Sequence, residues 1–536
     1  MALNIKIKEN LDLIRDYLNG GGFPDPLSNA EQLSFLFFFN IYELVDANNK
    51  LINKKYQSIF QGNWKVKNPL NARDKSNLIN KENFKWSVWK NLTGTELVNF
   101  VRDEVFPFYE DFASKGVTNF MNNSRLGIDE PVVLSQVISK IDDLNLHNED
   151  PDTKGDLFEY VLKQIKQAGE LGQFRTPRHI IDFVVKVIDP KISEKIYDPA
   201  AGTAGFLVSA FNYIKLKHSS KSGTTEKRDD DENIYHVGIG DKLNRNETEF
   251  LYNNTFYGND VDGKMVRLAT MNLTLRNLNN VKILKKNPLT QVFNKEFKID
   301  NQIPLDGFDV ILANPPFKGS IDSNRIIDDV KVGDTKKTQI LFLKYILNSL
   351  KKKGRAAVIV PDGVLFDTEF GFEEIRRQLL QKTNLHTIVS LPAGVFEPYS
   401  GVKTSVLFFS NNEKTKNIMF IDVKNDGFKL DSNHDKPINL NDLPLAFNLI
   451  SDRKNNYKKW VNKNKKKIWN EIYVFADIDE IKNKNNDLSC SKYFPQNLNT
   501  SKDLPDESKI NQNIGKLLSK INNNYNKLNK VLLEDE

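Results

Sequence analysis

The spacing of apolar residues divides the chain into three parts. In residues 1–165, apolar positions such as Ile14 and Leu18 recur at helical intervals, which predicts an all-α domain. Between residues 166 and 412, short apolar runs alternate with helical patterns and end in a pair of strands at about 386–409. This alternation is typical of a doubly wound α/β sheet, here with a terminal hairpin.

The apolar pattern weakens after this hairpin. Lysines of the segment 458–467 interleave with Trp460 and Trp469, which suits either a nucleic-acid groove or a solvated helix face. Apolar residues between 510 and 533 recur at helical spacing and predict a terminal amphipathic helix with a stripe for a partner. We therefore expect residues 413–536 to form a basic and helical region that binds a partner.

Composition narrows the class of protein without identifying its function. The chain of 536 residues has a net charge of +6, which permits an acidic partner but does not require one. Its single cysteine, Cys490, fits a reducing compartment, and we expect a cytoplasmic protein. The apolar run 35–39 is far too short to cross a membrane. The histidines and the cysteine show no metal-ligand spacing, so no metal site is predicted.

Two predicted strands end in residues suited to a ligand site. The strand that ends at Tyr197 leads through small residues to a helix, and Gly202 and Gly205 allow a ligand to approach the backbone. A second strand ends at Asp260, where an acid can bind ribose hydroxyls, although a helix N-cap is the other interpretation. The turn matches neither the dinucleotide fingerprint nor a P-loop. The polar segment 216–233 is typical of a loop or insertion.

A later buried strand ends abruptly in Asn314-Pro315-Pro316-Phe317. Two prolines make this segment stiff, so its carbonyls are held in fixed directions. Fixed acceptors beside an aromatic ring suit a planar group that carries N–H donors. The alternative is a proline-terminated strand that leads into an ordinary loop.

The order of these motifs resembles that of the amino-group DNA methyltransferases that use S-adenosylmethionine. Two longer segments, Gly172–Arg178 and Asp198–Leu207, are similar to the modification (M) subunit of type I restriction–modification systems. The resemblance covers about residues 150–410. It implies binding of double-stranded DNA with a flipped adenine, one specificity (S) subunit shared by two M subunits, and a restriction (R) subunit in the full complex.

The resemblance also implies roles for individual residues. The implied cofactor-binding residues are Gln173, Phe174, Arg175, Thr176, Pro177, Arg178, Asp198, Gly202, Thr203, Ala204, Gly205 and Asp260. The implied catalytic residues are Asn314, Pro315, Pro316 and Phe317. The sequence also favours Thr176 as the N-cap of the next helix. One departure is Asn287, which stands where the family usually has an Asp near the cofactor's adenine.

Residue usage narrows the chemistry that this resemblance allows. Methylation of cytosine carbon 5 needs a thiolate, and the only cysteine, Cys490, lies far from the predicted sheet. Asn314 favours the N6 amine of adenine over the N4 amine of cytosine, for which serine is commoner at that position. Two alternatives remain open: a stand-alone methyltransferase that reads DNA with residues 413–500, and a binding protein that keeps the fold without catalysis. Because no P-loop occurs, translocation or cleavage is expected in another chain.

Overall fold

The computed structural model describes most of the chain between residues 5 and 494. The described residues are 5–52, 56–66, 78–113, 121, 123–146, 149–167, 176–228, 234–278, 282–290, 307–432, 434, 436–462 and 472–494. The predicted helix at 510–533 and residues 463–467 of the lysine-rich segment lie outside these ranges. Within the described part, no helix is long and apolar enough to span a membrane.

The N-terminal region is helical, as its periodicity predicts. Its helices are α1 Ile5–Gly20, α2 Pro26–Ile52, α3 Trp86–Trp89, α4 Gly94–Phe100, α5 Phe106–Ala113, α6 Pro131–Asp143 and α7 Pro151–Gln167, with a π turn at Val101–Val105 between α4 and α5. The Phe-rich run lies in the middle of α2, where Phe35, Phe37 and Phe39 are almost completely buried. The Phe39 ring stacks on Tyr109 with centroids 4.6 Å apart. A small antiparallel pair, β1 Asn63–Lys65 and β2 Leu78–Asn80, adds to this region.

The rest of the described chain is built on a nine-stranded sheet. The remaining strands are β3 Ile196–Asp198, β4 Thr224–Arg228, β5 Ile234–Gly238, β6 Phe256–Asp260, β7 Lys282–Lys285, β8 Phe308–Ala313, β9 Leu350–Pro361, β10 Asn384–Ser390, β11 Thr404–Ser410, β12 Asn417–Asp422, β13 Asp426–Phe428, β14 Pro437–Asn441 and β15 Tyr473–Asp477. The order across the large sheet is β15-β12-β10-β11-β9-β8-β3-β6-β7. From β7 to β9 the strands are parallel, and β11 runs antiparallel between β9 and β10. This confirms the predicted doubly wound sheet with its terminal hairpin.

Helices cover both faces of this sheet. They are α8 Arg178–Ile188, α9 Gly205–Lys217, α10 Arg245–Asn253, α11 Gly263–Thr274, α12 Thr338–Ser349, α13 Gly363–Phe366, α14 Phe370–Lys382, α15 Leu443–Ser451, α16 Arg453–Asn462 and α17 Ile478–Asn483. Because side chains alternate along a strand, Ile196 packs with α8 and α9 while Tyr197 faces α12. The Tyr197 hydroxyl lies 3.0 Å from that of Tyr345 on α12.

Helix α11 belongs to two hydrophobic cores. Met265, Leu268 and Met271 pack among the N-terminal helices. Val266 and Ala269, which directly follow Met265 and Leu268 in the sequence, pack with the sheet. The helix that follows Asp260 therefore forms a wall shared by both parts of the molecule.

Two segments differ from their predicted structure. The polar segment 216–233 contains β4, which pairs with β5 as an antiparallel hairpin. No strand signal is present at β4 because its residues, Thr-Thr-Glu-Lys-Arg, include no apolar position. Strands β12 and β15 continue the large sheet beyond residue 412, where the sequence predicted a basic helical region. Trp460, in the lysine-rich segment, is buried against Phe475.

Candidate active site

Three of the parallel strands bring the polar residues of the motifs to one edge of the sheet. Strand β3 lies between β6 and β8, with Asp198 opposite Gly258 and Tyr197 opposite Ile311. Because the three strands are parallel, their carboxyl ends meet at the same edge. Asp198, Asp260 and Asn314, which are up to 116 positions apart in the printed sequence, end or follow these strands.

Asp198 and Asp260 are both held by backbone N–H groups of this edge. Asp198 is 2% exposed, and its Oδ1 accepts a hydrogen bond of 3.0 Å from the Ala200 amide. The two oxygens of Asp260 accept from the amides of Gly202 (3.0 Å) and Asp262 (2.9 Å). Burial raises the pKa of Asp260, and it raises the pKa of Asp198 to about 8, with the charge of Asp260 acting in the same direction. The Asp260 carboxylate thus fixes the turn after β3.

The turn itself adopts left-handed backbone conformations. Gly202 has φ +52°, and a Cβ at this position would meet no atom within 4 Å among the described residues. Ala204 has φ +64°, which is unusual for a residue with a side chain. At Gly205 an added Cβ would lie 2.9 Å from the Ile181 side chain, so glycine there allows α8 and α9 to pack closely. Among the described residues, the space beside Gly202 is therefore free, whereas Gly205 allows two helices to pack closely.

Two asparagines that were not predicted as site residues donate hydrogen bonds to backbone carbonyls of the turn. The Asn259 Nδ2 donates to the Pro199 carbonyl at 3.0 Å and to the Lys286 carbonyl at 3.2 Å. The Asn272 Nδ2 on α11 donates to the Thr203 carbonyl at 2.9 Å. Asn259 directly precedes Asp260 at the end of a buried strand. An asparagine in an otherwise apolar strand is the signal from which its role could have been predicted.

An ion-pair network extends from this turn to the N-terminal region. Arg276 is buried, and its Nη1 donates to Asn272 Oδ1 at 2.6 Å while its Nη2 donates to Glu159 Oε1 at 2.9 Å. The other oxygen of Glu159 accepts from Arg178 at 2.6 Å. The Arg178 guanidinium also lies 5.5 Å from the Tyr235 ring centre. In this structure, Arg178 is thus held by protein groups.

The Asn314 side chain makes the contact that orients the proposed catalytic segment. Its Nδ2 donates to Thr176 Oγ1 at 2.8 Å. Its Oδ1 is buried and has no hydrogen-bond partner among the residues that the structure describes. Thr176 was predicted to be the N-cap of α8, but Pro177 occupies that position and the Thr176 hydroxyl accepts from Asn314 instead. The contact spans 138 positions of sequence.

The other members of the proposed site differ in exposure. Pro315 is buried and Pro316 is exposed. The Phe317 ring is 2% exposed and packs edge-on against Phe396, with centroids 5.1 Å apart. Asn287 Oδ1 accepts from the Leu289 amide at 3.0 Å and so closes its own turn. Three implied cofactor-binding residues lie outside the described part: Gln173, Phe174 and Arg175.

The amino-acid sequence matches two family models. The model described as N-6 DNA Methylase matches residues 149–502, and the model described as HsdM N-terminal domain matches residues 3–141. The methylase subunit of the type I restriction enzyme EcoEI from Escherichia coli is 30% identical over 441 residues, covering 78% of this chain and 77% of that protein. The EcoKI methylase subunit from Escherichia coli strain K12 is 32% identical over 342 residues, covering 61% and 58%.

Solved structures share the fold. A chain from a study of complex assembly and conformational transition of the type I R-M system has a TM-score of 0.65 at 24% identity, covering 100% of this chain and 99% of that one. A modification subunit of a putative type I restriction enzyme from Vibrio vulnificus YJ016 has a TM-score of 0.63 at 24% identity, covering 89% and 93%. These identities show a common fold alone.

The fold and the family models define the class of protein, which is that of the amino-group DNA methyltransferases. Helices cover both faces of the sheet, and a turn of small residues follows β3, as the sequence motifs predicted. The chain belongs to the N-6 DNA methylase family, among the methylase subunits of type I restriction enzymes, and is therefore an adenine-specific DNA methyltransferase.

Proposed function

We propose that this chain transfers a methyl group from S-adenosylmethionine to the N6 amine of adenine in DNA, as the M subunit of a type I complex. The observation that carries this proposal is the buried Oδ1 of Asn314, which has no hydrogen-bond partner among the described residues and whose amide nitrogen donates to Thr176. A buried acceptor left without a partner costs about 1–3 kcal/mol, so a donor from a substrate would satisfy it. The exocyclic amine of adenine carries two such N–H donors.

Asn314 and Pro315 would act directly on that amine. The lone pair of the N6 nitrogen is delocalised into the ring, which makes the amine a poor nucleophile. If Asn314 Oδ1 and the Pro315 carbonyl accept the two N–H groups, the lone pair is drawn out of conjugation and gains nucleophilic character. Preorganised acceptors of this kind stabilise the charge that develops in the transition state. No covalent intermediate with the enzyme is required.

Phe317 is the proposed stacking surface for the flipped base. Extruding a base costs roughly a few kcal/mol, and stacking on an aromatic ring returns on the order of 1–3 kcal/mol. Because the ring is only 2% exposed and meets Phe396 edge-on, stacking requires a local movement that uncovers one face. Phe317 is thus proposed to change its surroundings when DNA binds.

The residues at the edge of the sheet fit the proposed cofactor. The open space above Gly202 admits a ligand to the backbone of the turn, and Asp260 stands where ribose hydroxyls are bound in doubly wound sheets. Asp198 is a buried carboxyl whose raised pKa would fall beside a cationic group. When bound, S-adenosylmethionine supplies an electrophilic methyl group on a cationic sulfonium. Gln173 to Arg178 are proposed to enclose it, as the family resemblance implies.

Partner subunits follow from the relatives and not from any contact in this structure. The relatives are methylase subunits of type I restriction enzymes, and one neighbouring structure concerns assembly of the type I R-M complex. We therefore propose that an S subunit selects the DNA site, that two M subunits join one S subunit, and that an R subunit completes the restriction complex.

Methyl transfer by the wild-type chain and by Asn314→Ala tests this function. The chain is co-expressed with the S subunit of its host and supplied with host DNA and tritiated S-adenosylmethionine. We expect Asn314→Ala to lose on the order of 10²–10³ in transfer rate while its cofactor affinity is unchanged, because only the acceptor for the base is removed. Substantial transfer by the variant would contradict the assignment of Asn314.

A second arm of the same experiment identifies the source of specificity. Adenines methylated in host DNA are mapped for cells that lack the S subunit and for cells that contain it. We expect site-specific methylation only with the S subunit. Methylation at a defined sequence by the chain alone would favour a stand-alone methyltransferase.

A further inference from the structure

Three side chains from separate segments meet beside the start of α8. His179 lies in the first turn of that helix, Asp426 begins β13, and His434 lies between β13 and β14. The Nε2 atoms of His179 and His434 lie 2.9 Å and 2.8 Å from the same oxygen, Asp426 Oδ2. The ligand-type atoms of all three residues lie within 4.8 Å of one another. The 247 positions between His179 and Asp426 hide this cluster from any spacing rule.

The second histidine of the cluster, His434, is a buried side chain with two polar ring nitrogens. Its side chain is completely buried, yet neither ring nitrogen makes a hydrogen bond of acceptable geometry within the part of the chain that the structure describes. The Asp426 Oδ2 atom lies 2.8 Å from the His434 Nε2 atom. A fully buried imidazole beside a fully buried carboxylate, with no hydrogen bond of acceptable geometry at its nitrogens among the described residues, is a ligand set that a bound ion could complete.

The charges around the cluster favour a cation. Asp426 is fully buried, and one of its carboxylate oxygens lies against both imidazoles. Asp182 faces His179 from α8, and Asp431 accepts from the His434 amide at 3.1 Å. Asp182 and Asp431 are themselves paired with Arg178 and Lys429, so the buried Asp426 carboxylate is the charge on which cation binding depends.

We propose that His179, Asp426 and His434 bind a divalent transition-metal ion, for which Zn²⁺ is the probe. Two imidazoles and one carboxylate are a ligand set that Zn²⁺ and Fe²⁺ both accept, with a solvent molecule completing the shell. Ligand atoms at about 2.0 Å from a tetrahedral ion lie roughly 3.3 Å apart, so the two nitrogens need to move away from Asp426 Oδ2 by about 0.4–0.5 Å. The side chain of His179 is 21% exposed and gives the ion a route from solvent.

The metal would connect the β13–β14 arm to the segment that holds Asn314. His179 comes three residues after Thr176, whose hydroxyl accepts from the Asn314 amide. The Phe428 ring of β13 stacks on the His179 ring with centroids 4.5 Å apart, which shields this side of the cluster. Because a bound ion stabilises only the folded arrangement, it would reinforce the position of the α8 start.

Metal binding by the full chain tests this inference without reference to methyl transfer. The purified protein is freed of metal with a chelator and titrated with Zn²⁺ by calorimetry. We expect one ion per chain, at least tenfold weaker binding in His179→Asn and His434→Gln, and wild-type binding in His236→Gln, a control that removes an exposed histidine elsewhere. Equal affinity in all four proteins, or no binding by wild type, would overturn the proposal.

A spectroscopic measurement guards against loss of folding in the variants. Wild-type protein loaded with Co²⁺ should show the visible bands of a low-symmetry nitrogen and oxygen site, without the charge-transfer band of a thiolate. Zn²⁺ should also raise the melting temperature of wild type and His236→Gln but not that of His434→Gln. Featureless Co²⁺ spectra would count against the site even if the variants proved unfolded.

Discussion

The hydrogen bond from Asn314 to Thr176 is the contact on which base positioning most depends, and Thr176→Val removes it with almost no change of shape. The valine side chain cannot accept from Nδ2, which lies 2.8 Å from the Thr176 hydroxyl in the wild type. Leaving a buried amide donor unsatisfied costs about 1–3 kcal/mol. The side chain can avoid this penalty only by turning, which takes Oδ1 away from the position where it would accept from the base.

The expected consequence is a slower chemical step. If the whole 1–3 kcal/mol is felt in the transition state, the rate of methyl transfer falls roughly 5- to 150-fold. Single-turnover transfer to DNA, with saturating cofactor and the S subunit present, measures this step. Thr176→Ser keeps the hydroxyl and serves as the matched control, so it should retain most of the wild-type rate.

A double-mutant cycle distinguishes this role from cofactor binding. In an Asn314→Ala background Thr176→Val should have little further effect, because the amide that it orients is already gone. If Thr176 instead serves mainly to enclose S-adenosylmethionine, the valine variant will weaken cofactor binding in both backgrounds and leave the single-turnover rate at saturation unchanged. That pattern would refute the orienting role.

Three further predictions concern the carboxyl at the turn, the buried arginine and the aromatic ring. Because burial raises the pKa of Asp198 to about 8, the folded protein binds this proton more tightly than the unfolded chain, and stability falls as pH rises from about 4 to 8. Asp198→Asn should remove this pH dependence, which amounts to about 1.4 kcal/mol of folding stability per pH unit. The melting temperature of the cofactor-free variant should therefore rise relative to that of wild type between pH 5 and pH 8. A difference in melting temperature that stays constant over this range would contradict the raised pKa of Asp198. Gly155→Ala should lower the free energy of unfolding by about 1–3 kcal/mol, because its Cβ would overlap the buried Arg276 guanidinium, and an unchanged denaturation midpoint would show that the arginine can move. Phe317→Leu should keep the fold, since leucine still fills the site against Phe396, but it should slow methyl transfer about 10-fold or more through loss of stacking; activity equal to wild type would exclude a stacking role.

The strands that carry the site could be predicted because their sequences are unambiguous. Strand β8 is a short apolar run closed by two prolines, and β6 ends in an acid just before a helical pattern. Buried parallel strands are apolar on both faces, so they stand out from their surroundings. The same reasoning placed Asp198, Asp260 and Asn314 at strand ends that the fold brings to one edge of the sheet.

What the sequence could not show depends on contacts between distant segments. The partner of Asn314 is 138 positions away, and the Thr176 hydroxyl carries no local signal beyond that of a helix start. Strand β12 pairs with β15 across about 50 residues rich in Lys and Asn, so neither has a nearby partner in the sequence that would reveal a hairpin. Helix periodicity likewise gives no hint that Glu159 links Arg178 to Arg276.

Because α11 packs in both hydrophobic cores, the enzyme cannot be divided freely into fragments. One side of the helix is covered by the N-terminal helices and the other by the sheet, and the helix begins three residues after Asp260. A fragment that starts at α8 would expose Met265, Leu268 and Met271 to water in the helix that supports the turn after β3. The catalytic half is therefore not a free-standing module, and exchange between relatives is best made with both halves taken from the same parent.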